Sequence, residues 1–197
     1  MQSGLKIAVA DDEVDMRDYF QKMLPLLGHQ VVSVAATGQE LVDNCRRNPP
    51  DLVITDIKMP EMDGIDAAIE LYKIHPMPVI LVSAYHDASL IERAESDHVM
   101  SYLVKPIKQA DLEPAIALAV HRFSHFQSLR KEASDLRQAL ADRKVIERAK
   151  GVLMSRTGMS ESDAFRRLQK LASEKNKKLI EIATMIVTAE EAMGGVL

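Results

Sequence analysis

"DLVITDIKMPEMDGID", residues 51–66, passes from one periodicity to another. Its first six residues are a short apolar run rich in Val and Ile that ends on Asp56, the pattern of a buried strand. From Ile65 the apolar positions become Ile65, Ala68, Ile69 and Tyr72, spaced as one face of a helix. Strand, loop and helix in such quick succession make one unit of an α/β fold.

The unit recurs on both sides. "LKIAVA" (5–10), "QVVSVA" (30–35), "PVILVSA" (78–84) and "SYLVKP" (101–106) read as four more buried strands. Helical patterns lie between and after them: Met16, Tyr19, Phe20, Met23 and Leu27, then residues 41–45, 90–94 and 112–120. Five repeats predict an α/β domain over residues 1–121, a doubly wound five-stranded parallel sheet of flavodoxin-like type.

Open α/β sheets keep their sites at the carboxyl edge of the strands. That edge would collect Asp11, Asp12 and Glu13 after the first strand, Asp56 after the third, Ser83 after the fourth and Lys105 after the fifth. Carboxylates crowded at one point repel each other unless a cation joins them. Mg²⁺ suits one or two carboxylates plus water and phosphate oxygens. Asp56 would then be a nucleophile toward a phosphoryl group, with Lys105 and the metal stabilising its oxygens and Ser83 donating to one of them.

"VADDE" (9–13), "VITDIKMPEMDGID" (53–66), "LVSA" (81–84) and "YLVKP" (102–106), in that order, resemble the receiver domain of two-component response regulators over residues 4–121. The resemblance implies that Asp56 is the phospho-acceptor and that Asp11, Asp12, Asp56 and the backbone carbonyl of Lys58 hold Mg²⁺. It implies phosphoryl contacts from Ser83 and Lys105, a switching aromatic at Tyr102, and a sensor histidine kinase as partner. The stretch "ERAESDHVMSYL" lacks the Gly-Ala turn expected before the fifth strand.

The helical pattern runs on beyond the first domain. Phe126, Leu129, Ala133, Leu136 and Leu140 form a heptad seam, predicting a coiled-coil linker helix over 122–142. Three amphipathic stripes follow over 143–197, predicting a small helical bundle. The first uses Val145, Ile146, Ala149, Val152, Leu153 and Met154, and the second Ala164, Phe165, Leu168, Leu171 and Ala172. The third uses Leu179, Ile182, Ala183, Ile186 and Val187. Ser160 with Asp163 three residues on marks the start of the second helix.

Charge divides at the same place. Residues 1–121 carry 10 Lys+Arg against 19 Asp+Glu, and residues 122–197 carry 15 against 10. A basic second half suits phosphate-rich partners as well as mere solubility. Gly151 costs about 1 kcal/mol against alanine within a helix, a cost that close approach of another backbone would explain. Read on residues alone, a solvated bundle, a DNA-binding helix-turn-helix and a protein-docking bundle all stay open, as does a Mg²⁺ phosphohydrolase built on the carboxylate rim. The turn "SRTGMSES" is long for a helix-turn-helix, and no run of base-reading residues follows it.

"DRKVIERAKGVLMSRTGMSESDAF" (142–165) resembles the ANTAR domain, the RNA-binding output of transcription antitermination regulators, and the likeness extends over about residues 135–190. It rests on Ala149, Lys150, Gly151, Met154, Ala164 and Phe165. It implies recognition of paired RNA hairpins in leader transcripts, with Lys150 and Gly151 at the RNA face beside Arg143. Arg166, Arg167 and Lys170 join them on charge alone, and Phe165 is expected in the core.

With a single cysteine, Cys45, no disulfide framework is available. No apolar run approaches the roughly 20 residues of a membrane span, and "MQSGLKIAVADDE" lacks the architecture of a secretion signal. The expectation is a cytoplasmic, non-enzymatic regulator, free of the membrane and homodimeric at least when phosphorylated.

Overall fold

A computed structural model describes residues 4–84 and 99–194. The helix expected at 90–94 lies outside the described residues. Five strands, β1 (Lys6–Ala10), β2 (Gln30–Ala35), β3 (Leu52–Asp56), β4 (Val79–Ser83) and β5 (Val99–Val104), form one parallel sheet in the order β2-β1-β3-β4-β5. Chain direction across the sheet reverses beside β1, so β1 and β3 lie adjacent with their carboxyl ends together.

The central strands β1, β3 and β4 are almost wholly buried because both faces are covered. Ile7, Val9, Leu52, Ile54, Ile80 and Val82 pack with Phe20 and Leu24 of α1 (Val14–Leu26) and with Leu112, Ile116 and Ala119 of α4 (Gln109–Thr157). The alternate residues Ala8, Ala10, Val53 and Leu81 pack with Leu41 and Val42 of α2 (Gly38–Arg47) and with Ile65, Ala68 and Leu71 of α3 (Gly64–Ile74). Cys45 sits in this second layer, where burial pushes its thiol up to about 12 and leaves it unreactive.

Two compact units, Met1–Gln127 and Ser128–Leu197, divide the chain within α4. The segments expected as a last domain helix, a heptad helix and a first bundle helix are one element of 49 residues. Its only proline, Pro114, lies near the start. Gly158, at φ 71, ends it and donates its N–H to the Met154 carbonyl.

In the second unit, Ala149 of α4 packs with Leu168 of α5 (Glu161–Glu174) and with Ile182, Ala183 and Val187 of α6 (Leu179–Gly194). Ser160 caps α5 as the sequence predicts: its Oγ accepts from the Asp163 N–H at 3.2 Å and donates to Asp163 Oδ2 at 2.6 Å.

Three core assignments need correction. Phe126 packs against the first unit's core rather than belonging to an open seam. Met154 and Phe165 are each 37% exposed, because both lie at the edge of their helix's apolar stripe, where neighbours cover only part of the side chain. The remaining seam leucines, Leu129, Leu136 and Leu140, are all more than half exposed.

Candidate functional sites

Asp56 ends β3 and the chain must turn sharply there. Thr55 Oγ1 donates to the Asp56 carbonyl at 3.1 Å, and the Lys58 N–H donates to Asp56 Oδ2 at 3.0 Å. Farther on, Met62 N–H closes a three-residue turn on the Pro60 carbonyl at 2.8 Å, with Glu61 at φ 66, a region non-glycine residues rarely occupy. Gly64 then passes so close to the Asp56 carbonyl that any Cβ would collide with it. The loop therefore presses back on the strand end and fixes the Asp56 carboxylate.

Asp11 follows β1 and is fully buried. Its Oδ1 accepts from the Glu13 N–H at 3.0 Å, and Arg17 donates to the carbonyls of Asp11 at 2.6 Å and Asp12 at 2.9 Å. Lys105 follows β5 and reaches across: its Nζ is 3.0 Å from Asp11 Oδ2, 3.2 Å from Asp56 Oδ1 and 2.7 Å from Glu13 Oε1. Glu13, which the sequence places at this rim without a role, and Arg17, which it does not single out, are both working parts of the site. Ser83, partly buried, closes β4 beside them, and its carbonyl accepts the Lys105 N–H at 2.8 Å. Tyr102 stands half-exposed on the edge strand β5.

The electrostatics follow from burial. Burial pushes the Asp56 carboxyl up to about 6; Lys105 opposes this and the Asp11 charge adds to it. Asp11 is raised for the same first reason. Burial alone would lower Lys105, but its hydrogen bonds to Glu13 and Asp11 outweigh that and hold its amine protonated. One lysine thus partly neutralises carboxylates that remain costly to ionise together.

The same donor set suits a hard divalent cation. Carboxylate oxygens of Asp11, Asp12 and Glu13 lie within 4.8 Å of one another, and buried Asp11 Oδ2 accepts no hydrogen bond despite its ion pair. This acidic cluster at the end of β1 fits a Mg²⁺ ion.

The residues expected to form the second site sit differently. Lys150 is almost buried, its Nζ 2.7 Å from Glu147 Oε2 and 2.7 Å from Glu161 Oε1, and 6.0 Å from the centre of the Phe165 ring. Hydrogen bonds to Glu147 and Glu161 raise its pKa. Arg148 pairs with Glu191 at 2.9 Å, and Arg156 with Glu190 at 3.0 Å. Arg166 and Lys170 make only long, exposed pairs with Asp163 (3.9 Å) and Glu174 (3.8 Å). Arg143 and Arg167 are exposed.

Gly151 is exposed, and a Cβ placed on it would meet nothing within 4 Å. No described part of this chain requires a glycine there. Gly151→Ala is therefore expected to raise the unfolding free energy of the bundle by about 1 kcal/mol in urea denaturation. Lower stability in the alanine variant would reveal a contact the fold does not show.

Comparison with known proteins matches the same two regions. A response regulator receiver domain matches residues 7–117, and an ANTAR domain matches residues 134–187. The transcriptional regulatory protein PdtaR of Mycobacterium tuberculosis is 40% identical over 182 residues, covering 92% of this chain and 89% of that protein. The chemotaxis protein CheY of Thermotoga maritima is 32% identical over 114 residues, 57% of this chain and 95% of that one. A crystal structure of a response regulator receiver domain protein from Clostridium thermocellum superposes with a TM-score of 0.55 at 32% identity, covering 61% of this chain and 96% of its own. No helix among the described residues is long and apolar enough to cross a membrane.

Proposed function

We propose, from the premise that this chain belongs to the response regulators that join a receiver domain to an ANTAR domain, that phosphorylation of Asp56 controls the binding of RNA hairpins by the ANTAR domain and so transcription antitermination. The observation that carries the receiver half is Lys105 Nζ placed within 3.2 Å of both Asp11 and Asp56.

An Asp56 carboxylate oxygen attacks the phosphorus of a phosphohistidine on a sensor kinase, the P–N bond breaks, and an aspartyl phosphate forms. Bound Mg²⁺ would supply positive charge to the phosphoryl oxygens. Lys105 exchanges its carboxylate partners for a phosphoryl oxygen, and Ser83 donates to another. The phosphoryl group adds about −1.5 to −2 charge at this point. Tyr102, half-exposed on β5, turns toward the space Ser83 leaves, which shifts the population between two packings of this face. The cycle ends in slow hydrolysis of the acyl phosphate, so the protein is a switch rather than a turnover enzyme.

In the ANTAR half, Arg143, Arg166, Arg167 and Lys170 supply exposed positive charge for phosphates, and Gly151 admits RNA close to the helix backbone. Gly151→Ala is accordingly expected to weaken hairpin binding while stabilising the fold. Opposite signs in the two assays separate a contact surface from a structural position. Selection from a structured RNA library, with and without a beryllofluoride mimic on Asp56, tests the reading. Recovery of paired hairpins only with the mimic supports it, and recovery of no RNA overturns it.

A second reading, a bundle that docks on a protein, draws on the pairing of Lys150, Arg148 and Arg156 with glutamates, which removes much of the free positive charge. Duplex DNA is the third candidate ligand. Matched-salt competition between hairpin RNA and duplex DNA separates these.

Mg²⁺ should compete with a proton for Asp56. Its stabilising effect in thermal melts is expected to fall as pH drops through about 6, where the Asp56 carboxyl takes up its proton. An effect unchanged down to pH 5 would place the metal elsewhere.

A further inference from the structure

Phe165 is the one ring that the bundle leaves in the open. It stands on the first turns of α5, 37% exposed, although its neighbours Ala164 and Leu168 are fully buried. Lys150 Nζ lies over it at 6.0 Å, held there by Glu147 and Glu161 at 2.7 Å each. On α4, Gly151 and Met154 are the i+1 and i+4 neighbours of Lys150, and only Met154 shares its face. Gly151 has open space where a side chain would be, and Met154 is 37% exposed. Phe165 and Lys150 thus join an exposed aromatic ring to a cation fixed in place.

A cation tied to two carboxylates at short range offers little net charge to a phosphate. A phosphate would have to displace Glu147 and Glu161, which already satisfy the amine. What remains available is flat and apolar. Unpaired bases of RNA loops are recognised by stacking on aromatic side chains, and an exposed ring offers such a surface.

We infer that Phe165 is the stacking platform for one unpaired base of the RNA loop, and that Lys150 is a positioning residue that fixes this ring rather than a phosphate contact. The inference rests on the proposed RNA-binding reading and adds to it the class of group bound and the residue that takes it. It moves the direct contact from Lys150 to Phe165.

The test uses the full chain loaded with beryllofluoride and a hairpin recovered by the selection above, with 2-aminopurine replacing loop adenines one at a time. With wild-type protein, fluorescence at one loop position is expected to be quenched on binding. Phe165→Leu keeps apolar bulk but removes the ring; it should lose roughly ten- to hundredfold in affinity and abolish the quench. Phe165→Tyr should retain both. Lys150→Met should weaken binding while leaving the slope of log affinity against log salt unchanged, and Lys150→Arg should restore it. A phosphate contact would instead flatten that slope by about one charge. Circular dichroism melts confirm that each variant is folded. Hairpin binding by Phe165→Leu at wild-type affinity with the quench intact overturns the platform and leaves the RNA-binding reading standing. A flattened slope in Lys150→Met overturns the assignment of Lys150. If wild type binds no hairpin, the underlying reading fails and the platform fails with it.

Discussion

Asp56→Asn takes up no phosphoryl group from acetyl phosphate and Mg²⁺, while wild type gains a single hydroxylamine- and alkali-labile phosphate by intact-mass measurement. The same variant should be the more stable protein when metal is chelated. Asp56 is nearly buried and its carboxyl is pushed up to about 6, from an ordinary value of 3.8. Between about pH 4 and 6 the unfolded chain has released this proton while the native chain retains it, so native stability falls as pH rises through that window. Above about pH 6 both states are ionised and the full cost stands, on the order of 3 kcal/mol. Asparagine carries no such cost and can still accept the Lys58 N–H. A chelated Asp56→Asn variant that melts below wild type at pH 7.5 would show that the pair with Lys105 stabilises the rest state more than burial opposes it.

The second large effect concerns the leucines of α4. Leu129, Leu136 and Leu140 recur at heptad spacing in a stretch where every residue from 128 to 141 is exposed. Each stands to contribute about 1.5–3 kcal/mol if fully buried against a second copy. Under the proposed function the dimer presents two bundles to two hairpins, so the second hairpin binds as an intramolecular event. Leu136→Asp places a charge in that seam. It should leave the protein monomeric by sedimentation equilibrium and reduce affinity for a paired-hairpin RNA by about a hundredfold or more. Affinity for a single hairpin should hardly change. Equal losses on both RNAs would mean that the seam supports the bundle itself and not the pairing of chains.

The sheet was legible because a parallel sheet covered on both faces demands continuous Val- and Ile-rich runs, and those runs end on Asp56, Ser83 and the residues before Asp11 and Lys105. Position at the strand ends then brings the acids and the lysine together. The role of Glu13 was harder to see than its place. An exposed acid at the end of an acidic run reads as a solvated charge, and only the reach of Lys105 across the rim gives it a partner.

In the bundle, the stripes predicted the right helices but not the edges of their faces. Phe165 and Met154 lie where an apolar stripe meets solvent, and periodicity does not tell half-covered from covered. Lys150 shows the converse. Its charge suggested an outer surface, yet Glu147 three residues before it and Glu161 at the start of α5 draw it inward. The i, i+3 spacing of Glu147 and Lys150 was a visible signal; Glu161 needed the fold.

The central claim is that the state of Asp56 sets the affinity of the second half of the chain for RNA. Titration of one fluorescent paired-hairpin RNA with untreated and beryllofluoride-loaded protein, at the same Mg²⁺ and salt, tests it most directly. At least tenfold tighter binding by the loaded wild type, and no change on the same treatment of Asp56→Asn, is the expected result. Equal affinity of loaded and untreated wild type would contradict it.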